Sequence, residues 1–195
     1  SFDNDDKTDQ VFNIHLEHAT KTNVRNAKED KTVTRTIKYH YAGTTKDAAP
    51  AKVQTIKFEA YDTIDQVTGK TVNTTYSPVS QQFASVKSPV ISGYTASQSE
   101  VSAQTVDSNT QDQTVTITYT ANAQKATINY VDDTTGKTIN SEAISGHTGD
   151  KIADPTEAIT NYEKQGYKLV SDDLANGASF DNDDKTDQVF NIHLE

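Results

Sequence analysis

The chain contains no cysteine, no methionine and no tryptophan. Without cysteine there is no disulfide framework, no thiolate nucleophile and no sulfur-ligated zinc. A lack of oxidisable side chains suits exposure to oxidants. No apolar run approaches the ~20 residues of a membrane span, and no signal-peptide pattern is present. Any export signal or wall anchor is therefore expected outside this sequence. Positive charge is also scarce: 18 Lys and Arg face 28 Asp and Glu, for a net charge of −10. A chain this acidic does not bind nucleic acid through its bulk field, which needs clustered Lys and Arg. Apolar residues are 33% of the chain and mean hydropathy is −0.74. Small β-rich units with much polar surface fit these values better than one large core.

What the chain does have is a repetition. Ser1–Glu17, SFDNDDKTDQVFNIHLE, returns unchanged at Ser179–Glu195, 178 residues on (179 − 1). An identity of that length reads as a tandem array with a period near 178. On this reading residues 1–17 are the closing strand of a preceding repeat. Asp3 to Asp9 form a polar turn. Phe12, Ile14 and Leu16 then alternate with polar neighbours, which predicts a half-buried strand.

Residues His18–Lys31 are polar and read as a linker. Val33–Tyr41 and Val53–Tyr61 read as strands, the second with Val53, Thr55, Lys57 and Glu59 on one face and Ile56, Phe58 and Ala60 toward the core. Asp65–Thr71 is a turn in which Gly69 supplies φ > 0. Ser77–Val86 is predicted as a short helix: Ser77 caps it, Pro78 opens it, and Val79, Phe83 and Val86 share a face. Ser97–Gln113 reads as a polar loop, Val115–Tyr119 as a closing strand and Ala121–Gln124 as a joint. The order then recurs in shorter form. Ala126–Val131 and Ile139–Ile144 are strands around a Thr-Gly-Lys-Thr turn. A helix is capped by Asp154, opened by Pro155, striped by Ala158, Ile159 and Tyr162 and ended by Gly166. Tyr167–Val170 and Val189–Leu194 are the last strands.

Short matches link the halves at spacings of 67, 73 and 75 residues: Thr68–Thr71 with Thr135–Thr138, Gly93-Tyr94 with Gly166-Tyr167, and Asp112-Gln113 with Asp187-Gln188. The expected fold class is α+β: two tandem β-grasp (ubiquitin-like) domains, 18–121 and 122–195, in an elongated rod. In each, one helix crosses a sheet whose parallel strands need a long connection.

Tyr130-Val-Asp-Asp-Thr-Thr-Gly-Lys137, Gly146, Gly149, Gly166-Tyr-Lys-Leu169 and the Val189–Leu194 strand resemble the MucBP-type (B2-like) module of Lactobacillus mucus-binding (Mub) repeats. Asp65–Lys70, Ser88-Pro89 and Gly93-Tyr94 resemble the larger, B1-like module that precedes it. The resemblance implies a bacterial cell-surface adhesin binding mucin glycans, working as a monomeric repeat of a long chain without membrane insertion. It also implies likeness of the first module to immunoglobulin-binding domains, so immunoglobulins are a second expected partner. Their candidate site is the exposed face of an edge strand, Val53, Thr55, Lys57 and Glu59, open to strand addition. A third reading is a spacer in the adhesin stalk.

Other chemistry is weakly supported. A phosphate loop needs glycine five residues before its Gly-Lys pair, and Val131 and Ile64 stand there. A calcium loop opening at Asp181 would need glycine at 186 and glutamate at 192, where Thr186 and Ile192 occur. A solvated acidic turn is the favoured reading of Asp181–Asp187. The five histidines form no metal-ligand spacing, and no nucleophile motif appears. The expectation is no enzyme, no cofactor and no metal.

Overall fold

The computed structural model describes residues 1–195. In chain order the strands are β1 (Thr20–Arg25), β2 (Lys31–Tyr41), β3 (Asp47–Asp65), β4 (Thr71–Ser77), β5 (Gln81–Phe83), β6 (Val86–Lys87), β7 (Tyr94–Ala96), β8 (Glu100–Val101), β9 (Gln104–Val106), β10 (Gln113–Ala121), β11 (Ala123–Asp132) and β12 (Lys137–His147). The one α-helix, α1 (Thr156–Lys164), follows, then β13 (Leu169–Asp172) and β14 (Gln188–Leu194). The chain divides into two compact units. One comprises Ser1–Thr34, Thr55–Phe83 and Gln104–Asp112; the other comprises Arg35–Gln54, Ala84–Ala103 and Gln113–Glu195.

In the first unit, β3 pairs antiparallel with β1 and with β4. β1 lies in the stretch expected to be a linker. Its side chains are mostly exposed, so backbone pairing makes it a strand without an apolar alternation. Asn23, at φ 57, marks a register shift where a left-handed residue is tolerated. The core is Val33, Phe58, Phe83 and Val106, with Ile56 and Tyr76 against it. Phe83 reaches it from β5, which pairs with β9.

Two expectations fail here. Ser77–Val86 is not a helix: β4 ends at Ser77, and Phe83 and Val86 lie on separate short strands. Val79 is 83% exposed, so the supposed apolar stripe has no third member. The Ser97–Gln113 loop contains β8 and β9, too short to show a period in the sequence.

The second unit holds two apolar clusters. Ile37, Tyr39, Val101, Ile117 and Tyr119 pack around the parallel pair β2 and β10. Arg35 is 2% exposed; its guanidinium donates to Gln54 Oε1, Ser102 O and Ala84 O, each at 2.9 Å.

The larger cluster belongs to a four-stranded sheet in the order β12-β11-β14-β13. β11 and β14 are its parallel centre, and the other pairs are antiparallel. Ala126, Ile128 and Tyr130 of β11 and Ile192 and Leu194 of β14 meet Ile159 of α1, together with Ile152, Leu174 and Phe180. The helix starts one residue later than expected, with Pro155 as its N-cap and Thr156 its first residue; Asp154 Oδ1, just before the cap, accepts from the Thr156 amide at 2.7 Å and from the Thr156 hydroxyl. Gly166, at φ 105, follows its end. Gly146 is needed for close approach, since a Cβ there would stand 2.5 Å from the Phe180 ring.

β14 is the C-terminal copy of the repeated segment. The N-terminal copy forms no strand, and Phe12, Ile14 and Leu16 are 71%, 85% and 87% exposed. The predicted strand at Phe12–Leu16 is therefore absent. A β-strand needs a partner edge, and in this copy the segment pairs with none.

Candidate functional site

α1 has nine residues and β12 has eleven. At standard rises the helix is about 14 Å long and the strand about 36 Å. A short helix laid over the parallel centre leaves part of the edge strand's inner face uncovered. The result is a cleft of about 510 Å³ between the start of α1 and β12. That volume falls in the ~300–1,000 Å³ range of small-molecule sites.

Ile128, Ile144, Ile152, Ala158 and Phe180 supply the apolar lining. Tyr130, Glu142, Lys151, Asp154, Glu157 and Asn161 supply the polar groups. Strand register puts Glu142 opposite Ile128 and Asn140 opposite Tyr130, so these positions share a sheet face with period two. Asp154 is committed to the Thr156 amide and hydroxyl, while Glu142, Lys151, Glu157 and Asn161 are exposed. Tyr130 is 1% exposed and its hydroxyl has no hydrogen-bond partner. Burial, with the nearby Glu142 carboxylate second, pushes its phenol up to about 12. Glu142 acts on it through its charge and, to a lesser degree, as an acceptor for the hydroxyl, although no bond of ordinary length and angle forms. Tyr130 also packs on Tyr162, with ring centroids 5.1 Å apart. The hydroxyl is itself buried, so it belongs to the core beneath the cleft and not to the cleft's open surface.

The sequence-predicted edge-strand site is placed differently. Val53 (57% exposed) and Thr55 are solvent-facing. Lys57 Nζ lies 3.1 Å from Asp30 Oδ2, and the same carboxylate takes both Arg25 Nη groups at 2.6 and 2.7 Å. The Arg25 guanidinium, ahead of the Ala60 amide, holds Asp30 far below the usual carboxylate range. Glu59 accepts from the Tyr61 hydroxyl at 3.0 Å, and its backbone pairs with Ser77 of β4. Farther along, Tyr61, Asp62 and Ile64 pair with both β1 and β4, and β3 is an inner strand of its sheet, which corrects the edge assignment. Lys57 and Glu59 already serve the fold.

The acidic turn also serves the fold. Asp181 accepts from the Asp183 amide, and Asp183 from the Lys185 amide. Asp184 accepts from the Gly93 amide at 3.1 Å, from Asn122 Nδ2 at 3.1 Å and from Gln124 Nε2 at 2.8 Å. These donors, Asn122 first, hold its carboxyl below the ordinary value. Gly93, at φ 80, has no room for a side chain: a Cβ would meet Asn182 at 2.7 Å. Asp184 thus ties β11 and the residue before it to the loop that opens β7.

Sequence reasoning did not single out Glu142, Lys151, Glu157, Asn161 or Tyr130 as a set. Tyr130 opens the quoted Tyr-Val-Asp-Asp motif, yet its unpaired hydroxyl is a property of packing, not of the motif.

A Muc B2-like domain matches residues 24–123, the module that the resemblance placed as B1-like, and a mucin binding domain matches residues 124–195. No curated protein sequence matches the chain. Among solved structures, Mub-RV is 30% identical over 54% of this chain, which spans 61% of Mub-RV, at TM-score 0.47. The type 2 repeat of the mucus binding protein MUB from Lactobacillus reuteri is 31% identical over 63% of this chain and 69% of that one, at TM-score 0.45. The MucBP domain of the adhesion protein from Pediococcus pentosaceus is 36% identical over 47% of this chain and 98% of its own length, at TM-score 0.41. With one model spanning more than half of its residues, the chain belongs to the Muc B2-like domain family, joined in sequence to a mucin binding domain.

Proposed function

We propose that this chain is a repeat unit of a bacterial cell-surface adhesin that holds mucin glycoproteins through many weak contacts. The observation that carries the reading is the mucin binding domain match across 124–195. That stretch also forms the sheet and helix that enclose the cleft. We further read it as a β-grasp module, from its parallel β11–β14 centre, its edge hairpin and its single helix. The division proposed for the chain is 1–17, 18–121 and 122–195, and its setting is the outside of the cell. No helix is long and apolar enough to cross a membrane.

Repetition supplies the strength. The unchanged return of 17 residues after 178 supports a tandem array. Linked weak sites gain avidity of about 10²–10⁴ through effective concentration. The net charge of −10 sets the conditions. Mucins carry anionic sugars, so binding should rise as pH falls toward the carboxylate range near ~4. Added salt should help at neutral pH by screening repulsion.

The test compares one chain with two chains fused in tandem on a mucin-coated surface. Weak binding by one and much slower dissociation of the fusion are expected. Silence from both forms would sink the reading, and equal dissociation rates would remove its multivalent part.

A further inference from the structure

We propose that Ser1–Glu17 is a strand donor, which takes the place of β14 in a second copy of this chain whenever that place is open. This goes beyond the mucin-binding reading and does not depend on it.

The segment carries every group that its docking site needs, and Ser179–Glu195, of identical sequence, shows where each one goes. Phe180 lies against Gly146, where a Cβ would stand 2.5 Å from its ring, so β12 contains a notch for one phenyl group. Its counterpart Phe2 is 93% exposed. Asp184 accepts from the Gly93 amide, Asn122 Nδ2 and Gln124 Nε2, and its counterpart Asp6 is exposed. Ile192 and Leu194 are fully buried on a strand between β11 and β13, while Ile14 and Leu16 stand in solvent. Docked in the same parallel register, Phe12, Ile14 and Leu16 come opposite Ile128, Tyr130 and Asp132, as Phe190, Ile192 and Leu194 do. The turn bonds of Asp3 and Asp5 already match those of Asp181 and Asp183. Only the strand residues remain to be ordered on docking, which lowers its entropic cost.

Another location fits less well. The outer edge of β12, an end strand of its sheet, offers backbone groups to any extended segment. It offers neither the phenyl notch nor the donors that Asp184 collects. Because both copies make the same contacts, tethering decides which one occupies the site. The resident β14 acts at an effective concentration of the order of mM, so the intact chain at micromolar concentration keeps its own strand. Once that strand is lost, the donor of one chain enters the next in a head-to-tail contact of the domain-swapping kind.

The test uses the 195-residue chain with its own strand disabled by Phe180→Ala, Ile192→Asp and Leu194→Asp. Light scattering reads mass, and amide hydrogen exchange reads folding. The wild-type chain should be a monomer. The disabled chain should form particles of two or more chains with the Ile128 and Tyr130 amides still protected. Excess free peptide of the Ser1–Glu17 sequence should return these particles to monomers and keep the protection. Phe2→Ala added to the disabled chain should weaken assembly by at least about a hundredfold, as expected for losing a buried phenylalanine. Phe2→Ala, Ile14→Asp and Leu16→Asp added together should abolish both assembly and protection. Three results would overturn the proposal. Lost protection in the disabled chain would mean that the donor does not complement. Assembly that persists with both copies disabled would be non-specific aggregation. A protected monomer would mean that the segment closes within its own chain.

Discussion

Ser1–Glu17 and Ser179–Glu195 have the same sequence and half of the same structure. Their turns share three bonds. The Asp3 amide donates to Gln10 Oε1 at 3.0 Å, and its counterpart Asp181 to Gln188 Oε1 at 3.1 Å. Asp3 Oδ1 and Asp181 Oδ1 each accept an amide two residues on at 3.1 Å, and Asp5 and Asp183 do the same at 2.9 Å. The strands that follow differ entirely. Ile192 and Leu194 are 0% exposed, while Ile14 and Leu16 are 85% and 87% exposed. Aspartate side chains cap backbone groups two residues away wherever they occur. A strand is made by its neighbours, here β11 and β13. Context therefore decides which part of one segment folds.

The largest test of that difference is a matched pair of truncations. Ile192→Ala should cost about 2–5 kcal/mol by chemical denaturation, as for other fully buried isoleucines. Ile14→Ala should change stability by no more than about 0.5 kcal/mol. Similar losses at both positions would mean that the N-terminal copy is packed.

Gly146→Ala comes next. Its Cβ would stand 2.5 Å from Phe180, and overpacking of this kind costs about 1–3 kcal/mol. A neutral result in thermal melts would mean that the Phe180 ring moves aside freely. Phe2, the counterpart of Phe180, is 93% exposed, so Phe2→Ala should leave the melt unchanged.

A smaller effect separates Asp184 from its counterpart Asp6. Donated hydrogen bonds depress the folded pKa of Asp184. Its contribution is therefore fully present above the unfolded carboxylate value near ~3.9. It is lost as pH falls below that value toward the folded pKa. Melting temperature should drop with acidification in that window, and Asp184→Asn should flatten that part of the curve. Asp6→Asn should leave it unaltered; equal effects from the two would contradict the joint described for Asp184. The smallest effect belongs to the shared turn. Asp3→Ala and Asp181→Ala should perturb the same local amides in NMR spectra to a similar extent, and unlike patterns would show that the turns are not locally encoded.

The same division explains what could be read beforehand. Residues 122–195 were legible because Asp154, Pro155 and Gly166 mark the helix ends by local chemistry and the strands alternate with period two. The first module was less legible. Val79, Phe83 and Val86 mimic a helical stripe, but Val79 is exposed, and Phe83 and Val86 reach their cores from three- and two-residue strands paired with β9 and β8. Strand β1 has no apolar signal: backbone pairing with β3 and the Arg25–Asp30 ion pair hold it. The cleft was not legible at all. Its polar groups come from β11, β12, the segment between β12 and α1, and α1 itself, and no spacing in the chain brings Tyr130 near Glu142 until the hairpin sets the register.

The central claim is that one segment folds in one copy and not in the other. Amide hydrogen exchange on the intact chain, read residue by residue by NMR, tests it most directly because both copies sit in one molecule. The account predicts strong protection at Phe190, Ile192 and Leu194 and exchange near the unfolded rate at Phe12, Ile14 and Leu16. Equal protection in the two copies would contradict it.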